Sequence, residues 1–214
     1  MTISDSNLGE IMFCKNDLTE ELFNVYKSSK YLAVDTEAMG LYHGRDRLCL
    51  IQICNESNLI SCIKIDNHSL IAERIQNLLE DRKITKIFHY ARFDVAALKC
   101  NLNILTHNIF CTKIASKLAR TYTNKHGLKD LINELLGIEL DKTSQCSDWG
   151  SEKNLSQDQL NYAANDVRYL IKAMEQLILI LKRENRYEIA KKCFSVIPIY
   201  SELDIQHFGN IFEH

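Results

Sequence analysis

The chain has 214 residues, 46% of them hydrophobic and 25% charged, with a formal net charge of −2. That size and apolar content support one globular domain with a core of its own and exclude a disordered or collagen-like chain. The near-neutral balance argues against a broad surface that coats phosphates regardless of sequence, but not against local basic contact with a few nucleotides.

Residues 31–36 read as a buried strand, β-branched and apolar, with 47–53 as a second and 59–65 as a third. The link 39–46 carries Gly40 and Gly44, which suits a hairpin-like connection between antiparallel strands. Asn67 is placed to cap a helix over about 69–80, where Leu70, Ile71, Ile75, Leu78 and Leu79 have helical spacing. A fourth strand follows at 84–88, then a helix at about 93–100 and a short fifth strand at 109–111. Residues 112–119 and 128–136 have helical patterns, and Gly137 suits the C-cap of the second. Ser156 and Gln159 form a capping box. Beyond them one long helix is expected, with Leu160, Ala163, Val167, Leu170, Met174, Leu177 and Leu181 along its apolar stripe. The order predicts an α/β fold with a mixed five-stranded sheet flanked by helices. A single domain over 1–214 is expected, with a core over about 12–181 and a helical tail over about 182–214.

The eight cysteines show no two-residue zinc or redox spacing, and several lie in apolar runs such as that around Cys49. They read as reduced core cysteines of a cytoplasmic protein. No apolar N-terminal stretch follows a basic segment. The apolar run 177–181 is far short of the ~20 residues that cross a bilayer, so no membrane partner is expected.

Three acidic motifs carry the chemistry. Asp35 and Glu37 lie two apart at a strand end, and period-two geometry aims both carboxylates at one face. Two such groups repel unless a cation holds them. Asp94 opens the helix after the fourth strand, where a carboxylate suits the helix dipole and where α/β sheets place ligands. Tyr162 and Asp166 are four apart on a helix and share a face. Taken singly, each has an ordinary explanation as a solvated strand end, a helix cap or a surface pair. Their order and spacing together point to phosphodiester cleavage at a carboxylate-held metal site.

The sequence resembles the DEDD 3′–5′ exonucleases, in the tyrosine branch, and most of all ribonuclease D. Val34-Asp35-Thr36-Glu37 matches the first motif, Phe93-Asp94 the second and Tyr162-Ala163-Ala164-Asn165-Asp166 the third. The segments 47–52 and 140–149 are also typical, and the likeness covers about 12–181. The resemblance implies a ribonuclease H-like exonuclease fold and a short bacterial form. The residues after the last catalytic helix are too few for a helical nucleic-acid-binding domain, which needs ~50 or more.

The activity implied is hydrolysis of RNA from its 3′ end to 5′-mononucleotides. Asp35, Glu37, Asp94 and Asp166 are then metal ligands, with Asp35 shared between two ions, and Tyr162 orients the attacking water. All the ligands are hard oxygens, so the cofactors expected are two divalent cations, Mg²⁺ or Mn²⁺. The partner expected is single-stranded or 3′-overhanging RNA, with DNA as the alternative. A non-catalytic nucleic-acid-binding scaffold is the further alternative, and the presence of all four acids counts against it.

Substrate contacts are expected at Leu41 and Met39, near the terminal base, and at Gln52, His89, Lys142 and Trp149. Loop packing for Leu41, a core role for His89 and packing for Trp149 are the competing explanations. Tyr90 departs from the histidine–asparagine pair common at this place in relatives, and an aromatic ring there is suited to stack on a base. Arg45, Arg47, Lys142 and Arg168 are candidate phosphate contacts. Lys113, Lys117, Arg120 and Lys125 read as a solvated helix face.

Overall fold

A computed structural model gives the fold and describes residues 10–66, 71–140, 149–151, 155–209 and 211. The expected Asn67 cap, Lys142 and Cys146 lie outside these residues.

A strand β1 at Ile11–Lys15 and a helix α1 at Glu20–Lys27 precede the first predicted strand. Three strands follow: β2 at Tyr31–Ala38, β3 at Leu48–Asn55 and β4 at Ile60–Lys64. Then come α2 (Glu73–Glu80), β5 (Thr85–Phe88), α3 (Ala91–Leu102) and β6 (Ile109–Cys111). Among the described residues the chain ends in helices: α4 (Thr112–Ala119), α5 (Leu128–Leu136), α6 (Gln157–Arg168), α7 (Leu170–Arg183), α8 (Tyr187–Ser195) and α9 (Ile197–Ile205).

The sheet has six strands rather than five, in the order β1-β4-β3-β2-β5-β6. β2, β3 and β4 form an antiparallel meander, while β1, β5 and β6 pair in parallel with their neighbours. The additional strand, β1, is an edge strand in which only Cys14 is fully buried. Its pairing with β4 is a long-range contact that local periodicity does not report. β3 and β4, by contrast, are buried along their whole length.

The long helix expected after Ser156 is divided at Tyr169. Its capping box is present, with Ser156 Oγ accepting from Gln159 N and the Gln159 side chain accepting from Ser156 N. α6 packs across β2, β3 and β4, whereas α7 packs against α4, α5, β2 and β5. One straight axis does not serve both surfaces, so the apolar stripe continues while the helix turns. Gly137 ends α5 at φ 69°, a left-handed value that glycine adopts without penalty.

The tail returns to the core. α9 packs on α3, with Ser201 Oγ donating to Arg92 O at 2.9 Å and ion pairs joining Arg92 to Asp204 and Lys99 to Glu202. Five of the seven described cysteines are buried and all seven are free; Cys100 is exposed and Cys193 half-buried. No described helix is long and apolar enough to cross a membrane.

Candidate active site

β2 lies inside the sheet, between β3 and β5, and projects Asp35 and Glu37 from one face. α6 crosses that face and brings down Tyr162 and Asp166 one turn apart. Ligand oxygens of Asp35, Glu37 and Asp166 lie within 4.8 Å of one another.

Asp94 arrives separately. β5 ends at Phe88 and α3 starts at Ala91, so Asp94 sits in the first turn of α3, only 3% exposed. Thr36, which points to the other face of the pleat from Asp35 and Glu37, donates from Oγ1 to Asp94 Oδ1 at 2.7 Å. Asp94 is not one of the 4.8 Å trio, but its charge acts on Asp35, Glu37 and Asp166.

Burial and mutual repulsion govern the electrostatics of this cluster. Burial, followed by the neighbouring carboxylates, drives the Asp35 carboxyl well above the usual carboxylate range. The same causes push Glu37 up to about 8. Burial also pushes Asp94 up to about 7, against the lowering effect of the Thr36 hydrogen bond. The Tyr162 phenol is raised by burial and then by Asp166, toward which it is hydrogen-bonded. The donor set is all hard oxygen and close-spaced, so it fits Mg²⁺ or Mn²⁺.

The acids open into a cleft of about 380 Å³. Its walls include His89 and Tyr90 after β5, Lys113 on α4, and Leu128 and Lys129 at the start of α5. His89 Nδ1 is 2.9 Å from Thr112 Oγ1, which donates to Phe88 O, and burial depresses the imidazole to about 4. The ring is therefore neutral at physiological pH.

The other expected contacts divide. Leu41 is 84% exposed on the loop after β2, and Met39 is also exposed. Gln52 pairs with Asp35 across β2 and β3, but it has no exposed surface beneath α6. Its burial corrects the expectation of direct substrate contact. Trp149 is likewise buried, with its ring centroid 6.3 Å from that of Tyr162, and it packs behind the tyrosine rather than lining the cleft. Among the phosphate candidates, Arg47 donates to Ile65 O and Gly150 O, and Arg168 is buried. Arg45 is held by Asp46.

The expectation of a solvated basic helix face at Lys113, Lys117, Arg120 and Lys125 is also corrected. Arg120 is fully buried, whereas Lys113 reaches the cleft. Lys113 was findable: it follows β6 at the carboxyl end of a parallel strand, where α/β sheets bind ligands.

A family model described as a 3′–5′ exonuclease matches residues 11–182. The chain belongs to the 3′–5′ exonuclease family. The structure of Brucella melitensis NrnC bound to pGG is similar at 43% identity over 96% of this chain and 99% of that one, with a TM-score of 0.91. The same protein with bound Mg²⁺ gives a TM-score of 0.89. Among curated relatives, DNA polymerase I of Aquifex aeolicus is 35% identical over 77% of this chain, and ribonuclease D of Granulibacter bethesdensis is 28% identical over 82%. The chain spans only 27% and 44% of the length of those two proteins. The fold is thus the ribonuclease H-like one of these exonucleases, and the match spans 99% of the NrnC chain.

Proposed function

We propose that this exonuclease hydrolyses RNA from the 3′ end and releases 5′-mononucleotides, using two divalent cations, Mg²⁺ or Mn²⁺. The observation that carries the reading is the meeting of Asp35, Glu37 and Asp166 within 4.8 Å, with Asp94 and Tyr162 beside them. Asp35, Glu37 and Asp166 would hold one cation, and Asp35 with Asp94 the other. When bound, such cations supply an activated water and stabilise the leaving oxygen.

The chain's own residues do the rest. Tyr162, its phenol raised further above the ordinary value, keeps its proton and orients water by hydrogen bond. Lys113 and Lys129 offer positive charge to the phosphate in the cleft. Leu41, exposed on its loop, is placed to press on the terminal base, with Met39 beside it. His89 is neutral, so it takes part by hydrogen bonding rather than by charge.

The RNA reading is supported by the likeness to a protein solved with pGG, and the metal reading by the likeness to the same protein with Mg²⁺. DNA is the second reading, favoured by the likeness to a DNA polymerase. A time course on 5′-labelled and 3′-labelled RNA, with matched DNA, in Mg²⁺, Mn²⁺ and EDTA tests all of it. Stepwise shortening of 5′-labelled RNA, immediate loss of the 3′ label and silence in EDTA are expected. Faster loss of DNA would overturn the RNA assignment.

A further inference from the structure

Three cavities meet at one side chain. The first is the catalytic cleft with its acids. A second, of about 400 Å³, is lined by Arg92, Lys113, Lys117 and Tyr200, with no carboxylate among its described lining residues. A third, of about 260 Å³, is lined by Leu41, Tyr42, His43, Phe93, His207 and Asp204, whose carboxylate is paired with Arg92. Tyr90 lines all three.

The chemistry of each cavity matches a different part of a nucleotide chain. Carboxylates that suit cations serve the scissile phosphate. Rings and an exposed leucine suit a base. Cations beside tyrosines suit a phosphodiester and the sugar or base next to it. The third cavity is itself well ordered, since Tyr42 stacks on His207 with centroids 4.5 Å apart and His43 tilts on Phe93 at 5.1 Å.

Tyr90 stands at the start of α3. It precedes the first residue of α3 yet makes no side-chain cap, and 51% of its surface is exposed. An exposed aromatic ring at a three-way junction is well suited to stacking on a base. One neighbour fixes its position: Lys113 Nζ stands 4.3 Å from the ring centroid. Lys113 is itself anchored, its backbone N–H donating to His89 O at 3.1 Å. The ring therefore lies against a cation that also faces two of the cavities.

Building on the exonuclease reading above, we propose that Tyr90 is a specificity-determining residue for the reaction. It divides the substrate strand among the three cavities by stacking on a nucleoside, with Lys113 holding the ring and meeting the adjacent phosphate. Tyr90 touches substrate in this scheme but has no part in bond breaking. The ring matters and the hydroxyl does not.

Steady-state cleavage of a 5′-labelled oligoribonucleotide in Mg²⁺ tests this, with melting curves to check folding. Tyr90→Ala is expected to raise KM about 10- to 100-fold, the scale of a lost base stack, while kcat stays within about threefold. Tyr90→Phe should keep the wild-type KM, and Lys113→Met should raise KM and flatten its salt dependence. An unchanged KM in Tyr90→Ala overturns the proposal. So does a fall in kcat alone, and so does failure of Tyr90→Phe to restore KM. If Tyr90→Ala does not fold, Tyr90→Asn is read in its place by the same criteria. Absence of RNA cleavage by the wild-type protein would instead sink the exoribonuclease reading and leave Tyr90 aside.

Discussion

Thr36 on β2 and Asp94 in the first turn of α3 are joined by a 2.7 Å hydrogen bond from Oγ1 to Oδ1. Thr36 comes from the strand that carries Asp35 and Glu37, so the bond ties the separately delivered acid to the other two. Removing it leaves that buried carboxylate held by backbone hydrogen bonds alone. Thr36→Val, which keeps the shape and loses the donor, should lower metal affinity or activity about 10- to 100-fold. Thr36→Ser should retain most of both. Metal titration by calorimetry, alongside cleavage rates, checks this; equal losses in Val and Ser would show that the hydroxyl is not the operative group.

The carboxylate cluster makes a second prediction, about pH. Without cations, Glu37 and Asp94 hold protons up to about 8 and about 7, and Asp35 is raised as well. In the unfolded chain these groups ionise near pH 4. Between those limits the folded state binds more protons, so its stability falls as pH rises through the window. Added Mg²⁺ or Mn²⁺ binds the ionised cluster and offsets this by mass action. The melting temperature of metal-free protein should therefore drop from pH 5 to pH 8, and Mg²⁺ should raise it more at pH 8 than at pH 5. Asp35→Asn should melt higher than wild type at pH 8 without metal, and should not cleave RNA. A metal-induced shift of equal size at both pH values would contradict the account.

Much of this site was readable from spacing. Asp35 and Glu37 follow from period two in a strand, and Tyr162 with Asp166 from a helical turn. What spacing does not give is which side of an element another element covers. Gln52 looked available from its strand, yet α6 buries it. Arg120 and Lys113 read alike as charges on one helix face, but one is fully buried and the other lines the cleft. β1 was missed for a related reason, since an edge strand depends on a partner distant in sequence.

Arg120 is the buried hub of the wall beside the cleft. Its guanidinium donates to Glu134 from Nε at 2.9 Å and also from Nη2, while Nη1 donates to Ser116 Oγ and Lys125 O, each at 2.8 Å. These bonds pin the segment between α4 and α5 that leads to Gly127 and Leu128. Arg120 holds the Glu134 carboxyl down at about 2. A depressed carboxylate stabilises the fold above its ordinary range, and that stability is lost as pH falls toward 2. Glu134 keeps 40% of its side chain exposed, so screening reduces the effect. Glu134→Gln should cost about 1–2 kcal/mol, below the usual cost of breaking a fully buried pair. Urea unfolding at pH 7 and pH 3 checks it, and the gap between variant and wild type should narrow at the lower pH.

Gly40 stands against the carboxylate that organises the loop carrying Leu41. A Cβ at Gly40 would lie 2.2 Å from Asp46 Oδ2 and 2.8 Å from Asp46 Cγ. Asp46 accepts from Tyr42 N at 3.0 Å and from the Arg45 guanidinium at 2.7 and 2.8 Å, which holds its carboxyl down at about 2. Gly40→Ala must push that carboxylate aside and loosen the turn. Leu41 and Tyr42 are exposed, so the damage falls on their placement rather than on the core. KM for RNA should rise about tenfold, as expected for a misplaced contact, with kcat and the melting temperature little changed. If the melting temperature falls sharply while KM holds, the loop serves the fold and Leu41 is not pressed against the substrate.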